Sequence, residues 1–124
     1  MLTAPVTYDL DGRVFRSVGN SPNGEVNAET RFLYRQTGDL VTATYRGGPV
    51  VDGHLIARML PDGSLDMRYH HVNDRGDLMV GTCRSKPERL PDGRLRFHEE
   101  WQWLTGDCSA GRSIIEELPA ETPS

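Results

Sequence analysis

The sequence predicts an all-β domain, a single antiparallel up-and-down β-barrel of about eight to ten strands. Three observations predict it. Turn signals recur along the whole chain: Asp11-Gly12, Asn20 to Gly24, Thr37 to Asp39, Gly47 to Pro49, Pro61 to Gly63, Asn73 to Gly76, Pro91 to Gly93 and Gly106 to Gly111. Asp-Gly and Gly-Gly supply the positive φ angles of tight hairpins, and the segments between them, roughly 6–13 residues long, have strand length. The stretch Arg94–Leu104 alternates with period two, with Leu95, Phe97, Trp101 and Trp103 on one side and Arg94, Arg96, His98, Glu100 and Gln102 on the other. No window of about 12 residues carries the 3.6-residue apolar period of an amphipathic helix.

Taken in order, the strand candidates are 4–10, 13–19, 29–36, 40–46, 50–60, 64–72, 77–85, 93–104 and 112–118. Short links between them favour a meander, and a meander of that size exposes two edges unless it closes. Closure into a calycin-like barrel, lipocalin- or avidin-like in shape, leaves an interior that holds side chains or one small ligand. A two-sheet sandwich is the alternative architecture. The domain spans 1–118, and the polar, proline-bearing stretch 119–124 reads as a flexible tail.

Phase assigns the inward side chains. Phe32 and Tyr34 oppose Arg31 and Arg35; Val41, Ala43 and Tyr45 oppose Thr42, Thr44 and Arg46. Gly53, Leu55, Ala57 and Met59 oppose Asp52, His54 and Arg58; Leu65, Met67, Tyr69 and His71 oppose Asp66, Arg68 and His70. In 77–85 both faces are mixed and the phase stays open. The run Leu65, Met67, Tyr69, His71 goes from apolar to polar, so one end of the barrel is expected to be wet. Aromatic walls with a few convergent polar groups are the usual make-up of a small-molecule site.

Glu99 breaks the pattern of its strand by standing in phase with Trp101 and Trp103. A carboxylate facing an apolar interior is paired, hydrogen-bonded, protonated or part of a ligand pocket. With His71 or Tyr69 beside it, such a group could transfer protons near neutral pH; the structural alternative is a buried Glu neutralised inside the core, even by Arg68 if its strand bulges. The outer face gathers His54, His70 and His98 in phase with Asp52 and Glu100. No paired-ligand spacing typical of zinc accompanies them, and no metal or cofactor is predicted. Cys83 and Cys108 lack the flanks of a catalytic thiol, and Ser113 lacks a nucleophile elbow.

Fourteen basic against eighteen acidic residues give a net charge of −4 with no basic run, which argues against nucleic acid and anionic membrane as partners. No apolar run approaches the roughly 18 residues of a membrane span. Met1 to Pro5 shows neither the charged start nor the apolar stretch of an export signal, so a cytoplasmic protein with reduced thiols is expected.

Several phrases resemble a family of short bacterial proteins: Gly53-His54-Leu55, Asp66 to His70, Val72-Asn73 before Gly76, and Gly81-Thr82-Cys83. The most specific is His98-Glu99-x-Trp101-Gln102-Trp103 followed by Gly106-Asp107, Gly111 and Ser113, and the likeness covers roughly positions 13–117. Members of that family carry the label N-acetylglutamate synthase-like. The resemblance implies that Tyr69, Asn73, His98, Glu99, Trp101 and Trp103 share one site or one core. The residues themselves do not support an acyl-CoA acetyltransferase, because Arg35 to Leu40 is only a superficial match to the pyrophosphate loop that opens a helix in such enzymes.

The expectation is therefore a barrel binding a small, partly aromatic or apolar ligand. Phe32, Tyr34, Tyr45, Met67, Trp101 and Trp103 form its walls, Asn73 belongs to the site, and Glu99, Tyr69 and His71 orient polar groups. The alternative is a small lyase, isomerase or hydrolase with Glu99 as general acid/base and His71 or Tyr69 as partner. A third is an interaction module that uses the outer His54, His70, His98 and Glu100. A homodimer stays open.

Overall fold

A computed structural model describes residues 8–119. Eight strands are present: β1 (Val14–Asn20), β2 (Arg31–Thr37), β3 (Leu40–Gly47), β4 (Val50–Met59), β5 (Leu65–Asn73), β6 (Leu78–Arg89), β7 (Leu95–Trp103) and β8 (Ala110–Glu117). Each pairs antiparallel with the next, and β8 returns to pair with β1, closing the barrel. The all-β up-and-down barrel expected from the turn spacing is the observed architecture, and the sandwich is not.

The ninth candidate, 4–10, is not a strand where it is described; positions 4–7 lie outside the described residues. The closed ring offers no free edge to a further strand, so Tyr8 and Leu10 use their alternation differently. They turn into one end of the barrel, where both are buried. The Tyr8 hydroxyl donates to the Gly63 carbonyl and the Leu10 amide donates to Gln36 Oε1 at 2.8 Å. Beneath them Phe15 packs edge-on against Tyr34 (5.1 Å between centroids) and tilted against Phe97 (5.4 Å). Leu65, Leu95, Val41 and Ile115, all fully buried, complete an apolar plug.

The mixed strand resolves once its pairing is known. Gly81, Cys83 and Ser85 of β6 face inward, while Leu78 and Val80 face solvent. Small polar groups on the inside and aliphatics on the outside reverse the usual alternation, which is why neither face read as dry. β6 also runs past the expected end, because Pro87 pairs with Phe97 in register and the strand continues through it.

The opposite end is covered by the β1–β2 loop, residues 21–30. Trp103 Nε1 donates to the Asn23 carbonyl at 3.1 Å, and Asn23 Nδ2 donates to Ser109 Oγ and the Ala110 carbonyl. Asn20 Nδ2 donates to the Val26 carbonyl, and Thr30 Oγ1 to the Gly47 carbonyl. This loop is laced to three parts of the rim.

Candidate functional site

Between plug and cap lies a cavity of about 60 Å³. Its walls are Phe32, Tyr45, Leu55, Met67, Tyr69, Trp101 and Trp103, with Cys83, Glu99 and Ser113 deeper and Asn20, Gly24, Glu25, Val26 and His71 toward the cap. The rings touch in sequence round the lumen. Phe32 stacks on Tyr45 at 5.0 Å; Tyr45 and Trp103 each meet the His71 ring edge-on; Trp103 contacts Tyr69 and Trp101, both at 5.6 Å. Three of these aromatics lie opposite glycines of the next strand: Tyr45 over Gly53, Tyr69 over Gly81 and Trp101 over Gly111. A Cβ on any of those glycines would fall within 2.6 Å of the facing ring. The glycines give the rings room to lie against the wall rather than across the lumen.

Glu99 is buried among these groups. Ser85 Oγ donates to one carboxylate oxygen at 2.8 Å and Ser113 Oγ to the other at 3.0 Å. No cation pairs with it among the described residues. Burial pushes its pKa up, and the hydrogen bonds from Ser85, Ser113 and Cys83 offset only part of that. Burial with the Glu99 charge nearby also raises the Cys83 thiol, so Cys83 is a structural thiol with no sign of activation. Arg68, which a bulge could have turned inward, points out and pairs with Asp66 at 2.9 Å.

At the capped end a second carboxylate enters from the loop. Glu25 Oε1 lies 2.7 Å from His71 Nε2; Oε2 accepts from Asn73 Nδ2 at 3.1 Å and from Arg75 Nη2 at 2.9 Å. On the other side of the imidazole, Tyr45 Oη lies 2.9 Å from Nδ1. An ionised carboxylate can only accept, which assigns a hydrogen to Nε2, and the Tyr45 hydroxyl has Nδ1 and, at 3.3 Å, the His70 carbonyl within reach. Burial raises the Glu25 pKa, but the hydrogen bonds from His71, Asn73 and Arg75 outweigh it and hold the group below the usual carboxylate range. The two lumenal carboxylates are thus shifted in opposite directions.

Phe32, Tyr45, Met67, Tyr69, His71, Glu99, Trp101 and Trp103 all border the cavity. Tyr34 does not, despite its inward phase: it lies lower in the barrel, fully buried in the plug. Asn73 is buried behind Glu25, with its Oδ1 accepting the Arg75 and Asp77 amides, so it holds the turn and the carboxylate instead of facing the cavity. His98 is on the outer face, bonded to Glu88 at 2.7 Å, while the Glu99 carboxylate is turned inward to Ser85 and Ser113. Among the described residues no hydrogen bond joins Glu99 to His71 or Tyr69, so the expected trio is one cavity's lining and not one bonded cluster. His54 and His70 stack at 5.7 Å on the outer face, with His98 elsewhere. No group of three His, Cys, Asp or Glu side chains converges as a metal site among the described residues.

Glu25 was invisible to pattern. It sits in a loop without periodicity and meets His71 across a sequence separation of 46. Ser85 and Ser113 carry no periodic signal as partners of Glu99, because serine is uninformative about face.

No functionally curated protein matches the chain, and no solved structure does. A family model described as "Avidin-like protein" matches residues 8–118, the whole barrel from plug to last strand. The chain belongs to the avidin-like protein family.

Proposed function

We propose that this protein binds a small molecule in the barrel lumen, against Trp101, Trp103, Phe32, Tyr45 and Met67, with Glu99 accepting a hydrogen bond from the ligand. The observation that carries the reading is Glu99 itself. A carboxylate buried at a cavity wall, with no cation beside it among the described residues and one serine hydroxyl on each oxygen, keeps acceptor capacity that a ligand N–H or O–H would use. The aromatic lining supplies the apolar contact that a small ligand needs. Membership of the avidin-like family supports a binding barrel.

Glu99 with its raised pKa, beside a lumen that also holds Tyr69 and His71, supports a second reading as a lyase, isomerase or hydrolase with Glu99 as general acid/base. Acetyl transfer from a coenzyme thioester, the chemistry in the label of the similar short proteins, is not proposed. It relies on a helix N-terminus to hold pyrophosphate, and the described residues form strands and loops only.

Native mass spectrometry of the protein purified from its own host, compared with the denatured chain, tests the binding reading. The expected result is an excess mass that leaves on denaturation and is absent from a folded Glu99→Gln variant. A chain that emerges empty, and whose Trp fluorescence ignores a panel of small metabolites, overturns it. Conversion of the released compound by wild-type protein but not by Glu99→Gln would favour the enzyme.

A further inference from the structure

The donors at the capped end are arranged as a receptor. His71 Nε2, Asn73 Nδ2 and Arg75 Nη2 come from the end of β5 and the turn after it, and all three address one carboxylate. Two of them are positioned without that carboxylate's help. His71 is fixed through Nδ1 by Tyr45 and edge-on by Trp103, and Asn73 is fixed through Oδ1 by the amides of Arg75 and Asp77. Donors held in place before the acceptor arrives are what makes a binding seat rather than an opportunistic contact.

The acceptor now in that seat is a side chain of the protein. Glu25 is not needed to hold its own loop, whose backbone is tied to the rim through Asn20, Asn23 and Trp103. Its carboxylate can therefore swing out while the loop stays in place. The cavity below, about 60 Å³, is far smaller than the roughly 300 Å³ at the low end of ligand sites. Withdrawing the Glu25 side chain would open that space upward and expose the three donors at its mouth.

We propose that His71, Asn73 and Arg75 form a carboxylate seat, that Glu25 occupies it as a built-in stand-in, and that the lumenal ligand is a small carboxylic acid that displaces Glu25. The proposal rests on the lumenal reading above and adds the ligand's class. The acid group exchanges with Glu25 in the seat. An apolar body lies along the rings of Tyr45, Trp103 and Trp101. A hydroxyl or amide N–H at the far end reaches Glu99; a second carboxylate there would meet like charge and is disfavoured.

The test uses a Glu25→Ala variant of the full chain, titrated with sodium acetate against sodium chloride at equal ionic strength, with acetamide as the neutral isostere. Trp fluorescence and melting temperature are the readouts, since Trp103 contacts His71 edge-on. The variant is expected to respond to acetate saturably, with a midpoint roughly tenfold or more below that of wild type, which must first expel its own carboxylate. Acetamide is expected to do nothing. A Glu25→Asp variant, whose shortened arm withdraws the carboxylate from His71, is expected to show the same preference at smaller amplitude and covers the case in which Glu25→Ala does not fold. If both variants treat acetate as they treat chloride, the seat is overturned. A host ligand retained by wild type together with acetate-blind variants overturns the seat alone. Acetate-responsive variants of a protein that retains no ligand and ignores every metabolite overturn the lumenal reading alone.

Discussion

Tyr69 lies directly opposite Gly81, and its hydroxyl end fills the space that a Cβ on Gly81 would occupy, 2.3 Å away. The same ring contacts Trp103, so the glycine sets the position of a wall of the cavity from the neighbouring strand. Gly81→Ala is expected to cost about 1–3 kcal/mol in urea unfolding, the range for overpacking a filled interior. It should also change the Trp emission spectrum. A Tyr69→Leu background should recover only part of that cost, because the shorter side chain vacates the spot while the Gln102 carbonyl oxygen stays 2.8 Å from the added Cβ. Equal destabilisation in both backgrounds would mean that the backbone, and not the ring, opposes the methyl group.

Glu99 makes stability depend on pH in an unusual direction. Its folded pKa lies above the reference value of 4.5, so its contribution is fully present below that pH and is lost as pH rises through the raised value. Glu99→Gln should therefore melt higher than wild type at pH 7.5, with the gap narrowing to nothing toward pH 4. Melting curves across that range check it. A variant less stable than wild type at neutral pH would show that the ionised carboxylate is an asset.

Glu25 works the other way. Its folded pKa is depressed, so the stability it lends is present above 4.5 and disappears as pH falls through the lowered value. Wild type should lose stability on that acid limb, and Glu25→Gln should lose less of it. Superimposable acid limbs would mean that the His71, Asn73 and Arg75 contacts contribute nothing to folding.

Tyr34 offers a simpler test. Its hydroxyl is fully buried and finds no hydrogen-bond partner among the described residues. Tyr34→Phe removes a desolvated polar group without removing a bond, and is expected to stabilise the barrel by roughly 1 kcal/mol. A loss of that size would reveal a partner for the hydroxyl.

How much of this was legible in the chain depended on which physical signal each residue carried. Phe32, Tyr45, Trp101 and Trp103 announce their face because large apolar side chains must alternate with polar ones on a half-wet strand. Tyr34 announces its face equally well, yet phase gives no height along the barrel axis, and it fell to the plug instead of the cavity. Gly81, Cys83 and Ser85 concealed the face of β6 because they are small. The carboxylate at the mouth was hidden more deeply, since a loop residue meeting a strand residue from a distant part of the chain leaves no period to detect. Glu99 was readable for the opposite reason: a charge in an aromatic row is conspicuous.

Seven of the eight strand junctions join neighbours along the chain, but the junction of β1 with β8 joins its two ends. Hairpins can form as soon as their two strands exist; this seam must wait for the last strand. Until Ala110–Glu117 has been synthesised, β1 and β7 each present a row of unpaired amides and carbonyls, and the lumen lies open along its length. Completion is therefore a late, long-range and slow event, and a chain that stalls before it is vulnerable to pairing with another like itself.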